Sequence, residues 1–179
     1  DAKIINVGSG SRRLREGSIN VDIIKFEGVD VVADAEALPF DSNSVDAVVC
    51  DNVLEHTPRP EKILDEIERI LKPGGLVYIA VPFIIPFHSS PYDYYRWTAL
   101  GMRELLKRFD EHELKIEYGP TAAFTMVLSE WLALVLSFNI RPLYTAVLLV
   151  ATVVTAPLKL LDYLVSHYQG AENSALDLY

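Results

Sequence analysis

The sequence predicts an α/β protein built on a doubly wound, mostly parallel sheet that also contains an apolar helical insert. Two observations support this fold class. Short, nearly continuous apolar runs alternate with helical patterns through the first two thirds of the chain, which is typical of strands covered on both faces. A different segment then follows, apolar over most of its length. At 179 residues the chain is expected to form one domain, 1–179.

Six short apolar runs predict the first six strands of the sheet. Their β-branched residues suit a strand that is buried on both faces. The runs cover residues 4–7, 19–23, 29–33, 45–50, 76–81 and 114–118. Since helical patterns separate several of them, the strands are expected to pair in parallel, with ligands bound beyond their carboxyl ends.

Two amphipathic patterns predict helices between these strands. The first lies between the fourth and fifth strands and ends at the Lys-Pro-Gly-Gly run of residues 72–75. The second begins after Thr98, a residue type that caps helix N-termini. The apolar faces consist of Ile63, Leu64, Ile67, Ile70 and Leu71 in the first helix, and of Met102, Leu105, Leu106 and Phe109 in the second.

Composition excludes several classes of function. The net charge of −9 argues against nucleic-acid binding, because affinity for phosphate backbones depends on clustered Lys and Arg. The single cysteine, Cys50, excludes a disulfide framework and multi-cysteine zinc patterns, so no metal site is expected. Without a signal-peptide pattern, the expected location is the cytoplasm, and a position at the inner face of the membrane stays open.

Polar and glycine residues follow successive strands and predict a nucleoside site. Gly8, Ser9 and Gly10 form a turn after the first strand, where the absence of a Cβ lets a ligand approach the backbone. Asp22 ends the second strand, where a carboxylate can accept the hydroxyls of a ribose. Asp34 follows the third strand, in a position to accept from an adenine amino group.

With this set of motifs the sequence resembles the class I S-adenosylmethionine-dependent methyltransferases, of the small ubiquinone and menaquinone methyltransferase-like type. The resemblance covers about residues 1–118. It rests on five motifs in order, at residues 7–10, 20–22, 33–40, 44–56 and 71–75. It implies a Rossmann-like sheet of about seven strands with an antiparallel last strand, begun within residues 173–179. It also implies S-adenosylmethionine as cofactor, held by Gly8, Ser9, Gly10, Asp22, Asp34, Ala35 and Asn52.

Two departures from the family pattern affect the first motif. The family usually has a cysteine or a third glycine there and a full helix before the acidic residue. Here 11 residues separate Gly10 from Asp22, so residues 12–17 are expected to form a loop or one short turn. A nicotinamide cofactor is a weaker alternative, because its third glycine would fall at Arg13 and its acidic residue would come later.

The segment after the fifth strand predicts an acceptor site. Residues 82–98 combine three prolines with large aromatics and resemble a His-x-x-Pro-Tyr-Asp-Tyr-x-Arg-x-Thr signature of methyltransferases from surface-polysaccharide gene clusters. The candidate catalytic residues are His56, His88 and Tyr92, and the candidate substrate-binding residues are Tyr92, Asp93, Tyr95 and Arg96. Two alternatives stay open: His56 bonds backbone, or Asp93 pairs with Arg96 while the aromatics form a satellite core.

The excess apolarity of the chain lies in one segment. Residues 131–158 contain 20 apolar residues among 28 and a single charge, Arg141. Because the resemblance implies a last strand begun within residues 173–179, residues 119–170 are predicted to be an insert between the last two strands. Their pattern predicts two helices, 122–138 and 143–167, bent at Pro157. Three explanations are open for its apolar surface: a homodimer interface, contact with a membrane surface through 122–167, or packing as a lid. A single spanning helix is disfavoured because it would separate the last two strands.

The predicted function is methyl transfer to a small-molecule or carbohydrate-type acceptor. Methyl transfer from a sulfonium is an in-line displacement, so positioning can supply much of the catalysis and a base is needed only for some acceptors. The alternative is a catalytically silent Rossmann-like module used for assembly or membrane attachment. The identity of the acceptor does not follow from the sequence.

Overall fold

Within residues 2–88 and 92–179, which the computed structural model describes, seven strands and five α-helices are formed. The strands are β1 Ile4–Val7, β2 Ile19–Asp22, β3 Val31–Val32, β4 Val45–Asp51, β5 Leu71–Pro82, β6 Ile116–Tyr118 and β7 Asp177–Leu178. The helices are α1 Pro60–Ile70, α2 Ala99–Leu105, α3 Pro120–Leu136, α4 Arg141–Thr155 and α5 Asp162–Val165. Short 3-10 helices lie at Leu54–His56, Ala156–Leu161 and Ala171–Asn173.

The strands form one sheet of order β3-β2-β1-β4-β5-β7-β6. β1 lies between β2 and β4 and pairs with both in parallel, Ile5 opposite Ile19 on one side and Val48 on the other. β6 and β7 pair antiparallel. The predicted fold class, a mostly parallel sheet of about seven strands with an antiparallel last strand and an apolar helical insert, is confirmed.

The chain divides into two compact units, one of residues 2–81 with 92–95 and one of residues 82–88 with 96–179. The core of the first unit consists of apolar side chains from its central strands and from α1. Its fully buried members include Ile5, Val7, Val21, Val48, Leu64 and Ile67. In chain order α3, α4 and α5 lie between β6 and β7, and the assignment of 119–170 as an insert in one domain stays a prediction.

α1 confirms the predicted apolar face and corrects the position where the next strand begins. Pro60 occupies the first turn, and Ile63, Leu64, Ile67 and Ile70 are buried. The Lys-Pro-Gly-Gly run does not lie between helix and strand as predicted, because β5 already begins at Leu71. The strand pairing shifts register beside Val45, and Gly74 adopts a φ of 77°. The glycines therefore accommodate an irregularity within the strand.

Several other boundaries differ from the predicted ones by a few residues. β2 ends at Asp22, β3 contains only two residues, and β6 begins at Ile116. α2 has Thr98 as its N-cap, whose side chain accepts from Gly101 N, but it ends at Leu105 before the predicted Phe109. Apolar periodicity continues past the helix into a turn, so it marks the buried face better than the end of the helix.

The predicted pair of helices in 122–138 and 143–167 is present, and we name residues 120–165 the apolar hairpin. α3 begins two residues earlier than predicted, and α4 gives way at Ala156 to a 3-10 helix that contains Pro157. The two ends of the hairpin are joined by Asp162, whose carboxylate accepts from Thr121 N and Ala122 N, both at 2.8 Å. This carboxylate satisfies two of the amides that a helix N-terminus leaves unbonded.

An ion pair on α1 fixes the loop that follows β3. Glu66 Oε2 accepts from Leu38 N at 2.7 Å, and the Arg69 guanidinium donates to the carbonyl oxygens of Leu38 and Phe40 at 2.9 and 2.8 Å. The same two side chains bond each other at 2.8 Å. The Arg69 hydrogen bond lowers the pKa of Glu66 below its ordinary value, and the Leu38 amide adds to this effect.

This arrangement predicts a pH-dependent contribution to stability. Because the pKa of Glu66 is lower in the folded protein, its stabilising effect is present above the ordinary pKa of about 4.3 and is lost as pH falls through the folded value. We expect Glu66→Gln to lower the melting temperature at pH 7 by about 3–6 °C, for a charge-assisted contribution of roughly 1.5 kcal/mol. At pH 3 the variant and the parent should melt within about 1 °C of each other.

The matched control is Glu61→Gln, an exposed glutamate on the same helix. It should leave the difference in melting temperature between pH 7 and pH 3 as it is in the parent. An equal decrease in melting temperature in the two variants at pH 7 would contradict a specific role for Glu66.

Candidate functional site

The turn after β1 brings the backbone close to its neighbours and leaves open space at one glycine. Gly8 and Gly10 have φ angles of 66° and 53°, in the left-handed region that favours glycine. A Cβ on Gly8 would overlap the side chain of Val53, whereas among the described residues no heavy atom lies within 4 Å of a Cβ on Gly10. Ser9 is buried, and its amide bonds Val21 O at 3.1 Å. Gly8 therefore serves close packing, and Gly10 borders open space.

Asp22 holds this turn against the end of β2. Its Oδ2 accepts from Gly10 N at 2.8 Å, and its Oδ1 accepts from Ile24 N at 2.9 Å. An ionised carboxylate has about four acceptor sites, so two amide bonds leave capacity for two further donors. A ribose presents two hydroxyl groups, and the carboxylate at this strand end has the chemistry to accept both. The residues present thus fit a nucleoside cofactor.

The short segment between Gly10 and Asp22 forms no helix, as predicted. Two buried asparagines, Asn6 on β1 and Asn20 on β2, bond each other at 3.2 Å and both donate to Arg12 O. Arg13 donates to Ser18 O at 2.7 Å and pairs with Asp30 at 2.8 Å. This hydrogen bond and a second from Asn20 N lower the pKa of Asp30. Polar side chains therefore hold the loop in place of a packed helix.

Asp34 and Ala35 lie in the loop after β3, where an adenine site was predicted. Asp34 is exposed, and its Oδ1 accepts from Glu36 N at 2.9 Å while its carbonyl accepts from Ala37 N. The carboxylate therefore shapes the loop and retains further acceptor sites. Ala35 is half-buried beside it.

At the end of β4 the structure adds Asp51 and its ion-pair partner Arg12, two residues that the sequence analysis did not select. Asp51 Oδ2 pairs with Arg12 Nη1 at 3.1 Å, and Asp51 Oδ1 accepts from Asn52 Nδ2 at 3.0 Å. Asn52 has a φ of 52°, which asparagine tolerates better than most residues. The signal for Asp51 was an acid at a strand end. Arg12 offered no comparable signal, because its contact depends on the fold.

His56 and Glu55 occupy the short 3-10 helix after β4. His56 Nδ1 lies 2.6 Å from the carbonyl oxygen of Tyr92, and a carbonyl only accepts, so Nδ1 bears a proton. His56 Nε2 lies 3.6 Å from Oε1 of Glu55, whose side chain is fully buried. Sequence reasoning missed Glu55, which resembles an ordinary surface acid in the sequence. The pair places a proton-accepting nitrogen beside a carboxylate.

Cys50 belongs to the core and not to the reactive groups of the site. Burial raises the pKa of the Cys50 thiol, and the carboxylates of Glu55 and Asp51 raise it further. Because the thiolate is the nucleophilic form, this thiol is unreactive at neutral pH. Cys50 is completely buried and packs as a small apolar side chain.

Three tyrosines of the predicted acceptor segment form an aromatic cluster. The ring centroids of Tyr92 and Tyr94 are 5.9 Å apart, and those of Tyr94 and Tyr95 are 6.3 Å apart. The segment is anchored by Tyr94 N, which donates to Glu55 O at 2.7 Å, and by Tyr95 OH, which donates to Pro58 O at 3.1 Å. The rings of all three remain exposed. The structure thus brings His56 and these tyrosines together.

His88 and Arg96 lie in the second unit and contact each other. Arg96 Nη2 lies 3.5 Å from His88 Nδ1, and its guanidinium donates to the carbonyl oxygens of Ile85 and Pro86 at 3.1 and 3.2 Å. Arg96 therefore braces the segment after β5. Asp93 is half-buried in the first unit, and residues 89–91, which belong to the predicted signature, lie outside the described residues. The catalytic and acceptor-binding roles assigned to these side chains stay predictions.

Comparisons with known proteins indicate the class of this domain. Residues 11–79 match the family model described as a methyltransferase domain. An uncharacterized methyltransferase of Mycobacterium tuberculosis is 36% identical over 95 residues, which are 51% of this chain and 37% of that protein. A demethylmenaquinone methyltransferase of Clavibacter sepedonicus is 44% identical over 68 residues, 36% of this chain and 28% of that protein. The chain thus matches 37% of the length of the first relative and 28% of the length of the second.

Solved structures show the same fold. A candidate methyltransferase of Bacillus halodurans superposes with a TM-score of 0.54 at 17% identity, covering 74% of this chain and 78% of that one. An S-adenosylmethionine-dependent methyltransferase of Methanosarcina mazei gives 0.53 at 17% identity, covering 66% and 84%. The sequence matches and the strand order confirm the predicted resemblance to class I S-adenosylmethionine-dependent methyltransferases. These comparisons do not favour the alternative of a catalytically silent Rossmann-like module.

Two open glycines of the first unit, Gly10 and Gly17, allow a matched test of the cradle. Gly10 and Gly17 both have positive φ, at 53° and 83°, and neither has a heavy atom of the described residues within 4 Å of its missing Cβ. Alanine at either position costs about 1–2 kcal/mol of backbone strain. We expect both variants to lose similar stability in thermal unfolding. Only Gly10→Ala should weaken S-adenosylmethionine binding by tenfold or more in calorimetry, because its methyl group enters the ligand's space.

Proposed function

We propose that this protein transfers a methyl group from S-adenosylmethionine to a small-molecule or carbohydrate-type acceptor. The observation that supports the proposal is the joined cradle of Gly10 and Asp22, in which a carboxylate anchors an open glycine turn at the ends of β1 and β2. The matches to methyltransferases give this cradle its class. Since the chain spans only part of those relatives, the activity is a proposal about the domain at hand.

The cofactor residues act through shape and hydrogen-bonding capacity. S-adenosylmethionine, when bound, supplies a methyl group on a positively charged sulfur. An acceptor attacks the methyl carbon in line, and the sulfur is the leaving group. Gly8, Ser9 and Gly10 present backbone to the ligand, and Asp22 accepts the ribose hydroxyls. Asp34 and Ala35 provide the adenine side, and Asn52 lies at the end of the neighbouring strand.

The acceptor side of the proposal rests on the tyrosine cluster. Tyr92, Tyr94 and Tyr95 are 60%, 47% and 39% exposed, so they present ring faces and hydroxyls to solvent instead of forming a closed core. A tyrosine ring is an apolar surface with a polar end, which suits the mixed faces of a carbohydrate. Asp93 and Arg96 complete the proposed acceptor-binding set.

Proton removal from a hydroxyl acceptor is assigned to His56. Since Nδ1 donates to Tyr92 O, Nε2 is the nitrogen that can take a proton, and the nearby Glu55 carboxylate stabilises the resulting imidazolium. His88 and Tyr92 are further candidates for proton transfer. His56 has a second role in this proposal, because its bond to Tyr92 O positions the aromatic segment.

The partners and location follow from the acceptor. We propose a small-molecule or glycan acceptor and no nucleic acid, in line with the net charge of −9. The proposed location is the cytoplasm, at the inner face of the membrane. Two uses are proposed for residues 122–167, a homodimer interface and contact with a lipid surface.

The first test of the function changes the charge at the cradle. Asp22→Asn keeps the shape of the side chain but replaces one acceptor oxygen with a donor, so one bond from Gly10 N or Ile24 N and one ribose bond are lost. We expect at least a 30-fold weaker affinity for S-adenosylmethionine in calorimetry and a matching loss of S-adenosylhomocysteine release. Asp41→Asn, at an exposed aspartate, is the control and should bind like the parent. Unchanged affinity in Asp22→Asn rejects the cofactor assignment.

A second test separates acceptor binding from cofactor binding. Tyr92→Ala removes an exposed ring face, while its carbonyl still bonds His56. With polysaccharide or cell-envelope fractions as acceptor, we expect about a tenfold higher KM for the acceptor, equivalent to ~1.4 kcal/mol, and unchanged cofactor affinity. Tyr118→Ala, at an exposed tyrosine of β6, should leave the KM unchanged. A similar effect of both variants would contradict the acceptor role of the cluster.

A further inference from the structure

We infer that the apolar hairpin inserts into a lipid bilayer from one side. The first observation is an inverted distribution of side chains. The buried residues of α3 and α4 are all small or hydroxyl-bearing, namely Ala122, Ala123, Thr125, Ser129, Ala133, Ala151 and Thr155. Large apolar side chains point outward instead, among them Phe124, Trp131, Leu134, Leu149, Val150, Val153 and Val154, each more than half exposed. Ala122 and Ala123 pack against Leu176, Ile84 and Ile85 at the base of the hairpin. Elsewhere in the hairpin the buried residues are small and the large ones lie outside, a distribution typical of helices packed in lipid.

Several polar side chains on the inner face of the hairpin bond each other or the backbone inside it. Ser129 Oγ donates to Thr125 O at 2.7 Å and lies 3.3 Å from Thr155 Oγ1, which bonds Ala151 O at 2.8 Å. Glu130 accepts from the hydroxyl of Tyr144 across the two helices. A hydrocarbon environment requires such internal partners, because no water is available there. A helix on a protein surface in water would turn these groups outward.

The outer surface of α4 is too broad and too apolar for an ordinary solvent-facing helix. Residues 142–158 contain no charged side chain. The exposed positions between Pro142 and Val154 cover roughly 200° of the helix circumference, at about 100° per residue. Within residues 141–165 charged groups appear only at the two ends, with Arg141 at the tip and Lys159 and Asp162 near the base, and the charge within α3, Glu130, is bonded by Tyr144. The apolar region therefore forms a belt bounded by polar ends, as in membrane-inserted helices.

The length and connections of the hairpin fit entry and return on the same side. α3 and α4 have 17 and 15 residues, about 25 and 22 Å at a rise of about 1.5 Å per residue, against a hydrocarbon thickness of about 30 Å. Residues Arg141–Val165 alone are long and apolar enough for one crossing. A single crossing is excluded by the strands, because β6 before the hairpin pairs with β7 after it. Two helices return the chain to the side it left.

Lipid explains the exposed surface better than a second copy of the chain. A two-fold dimer buries one face of each partner. The hairpin, however, exposes large apolar side chains on both α3 and α4, so one partner face would leave much of this surface in water. A bilayer surrounds an inserted hairpin on every side. This inference does not depend on methyl transfer, and its test uses a different readout.

Flotation with vesicles of phosphatidylcholine alone tests the inference. Because this lipid has no net charge, attraction between opposite charges on protein and vesicle does not contribute to binding. The full chain is expected to float with the vesicles. Leu149→Glu combined with Val153→Glu places two charges on the outer face of α4 and should reduce the bound fraction at least tenfold. The control is Leu100→Glu, at a leucine of α2 that is 75% exposed outside the hairpin, and it should float like the parent. Circular dichroism and S-adenosylmethionine affinity, unchanged in both variants, show that the fold is retained.

Trp131 gives an independent measurement in the same vesicles. It is 56% exposed on α3, and the other tryptophan, Trp97, is buried, so Trp97→Phe isolates its signal. On mixing with vesicles its emission should shift to shorter wavelength, and nitroxide groups on the acyl chains should quench it. Failure of the parent to float, equal flotation of the Leu149→Glu, Val153→Glu variant, or absence of quenching would overturn the inference. A soluble dimer that the double variant converts to monomer would overturn it in favour of a second copy.

Discussion

A hydrogen bond between two neutral amides, Asn6 and Asn20, supports the geometry of the cofactor cradle. It links β1 to β2 where both are buried, and both side chains also hold the carbonyl of Arg12. Buried amides are costly unless each finds partners, so this network fixes one arrangement of the loop. With the loop fixed, the amide of Gly10 reaches the carboxylate of Asp22. The missing helix therefore does not leave the site without support.

The end of β4 connects the cofactor side of the site to the acceptor side. Val53 packs so close to Gly8 that this position accepts only glycine. Two residues further on, Glu55 and His56 hold the backbone of the tyrosine segment through Tyr94 N and Tyr92 O. One stretch of six residues, 51–56, therefore contacts both regions. A change there is expected to alter cofactor and acceptor affinities together, which separates it from changes in the outer tyrosines.

The fold and the cofactor motif were predictable from sequence because their signals are local. Strand runs, the Gly8–Gly10 turn and Asp22 follow one another in an order that only this sheet explains, and the apolar face of α1 repeats with helical period. Glu55, Arg12 and the Asn6–Asn20 pair were not predictable, because their residue types suit any surface and their burial and contacts depend on the fold. The early start of β5 was missed because a proline and two glycines normally end a helix or strand. Here they lie within an irregularity of the strand.

The position of the apolar hairpin in the chain has a consequence for biosynthesis. β6 is translated before the hairpin, and its antiparallel partner β7 only after it. At about 5–20 residues per second, several seconds pass between the two strands. During that interval the large apolar side chains have left the ribosome while the strand pair beneath them is incomplete. The nascent chain therefore reaches a lipid surface within the same few seconds in which the sheet closes. If the chain reaches the lipid late, an aggregation-prone intermediate is exposed.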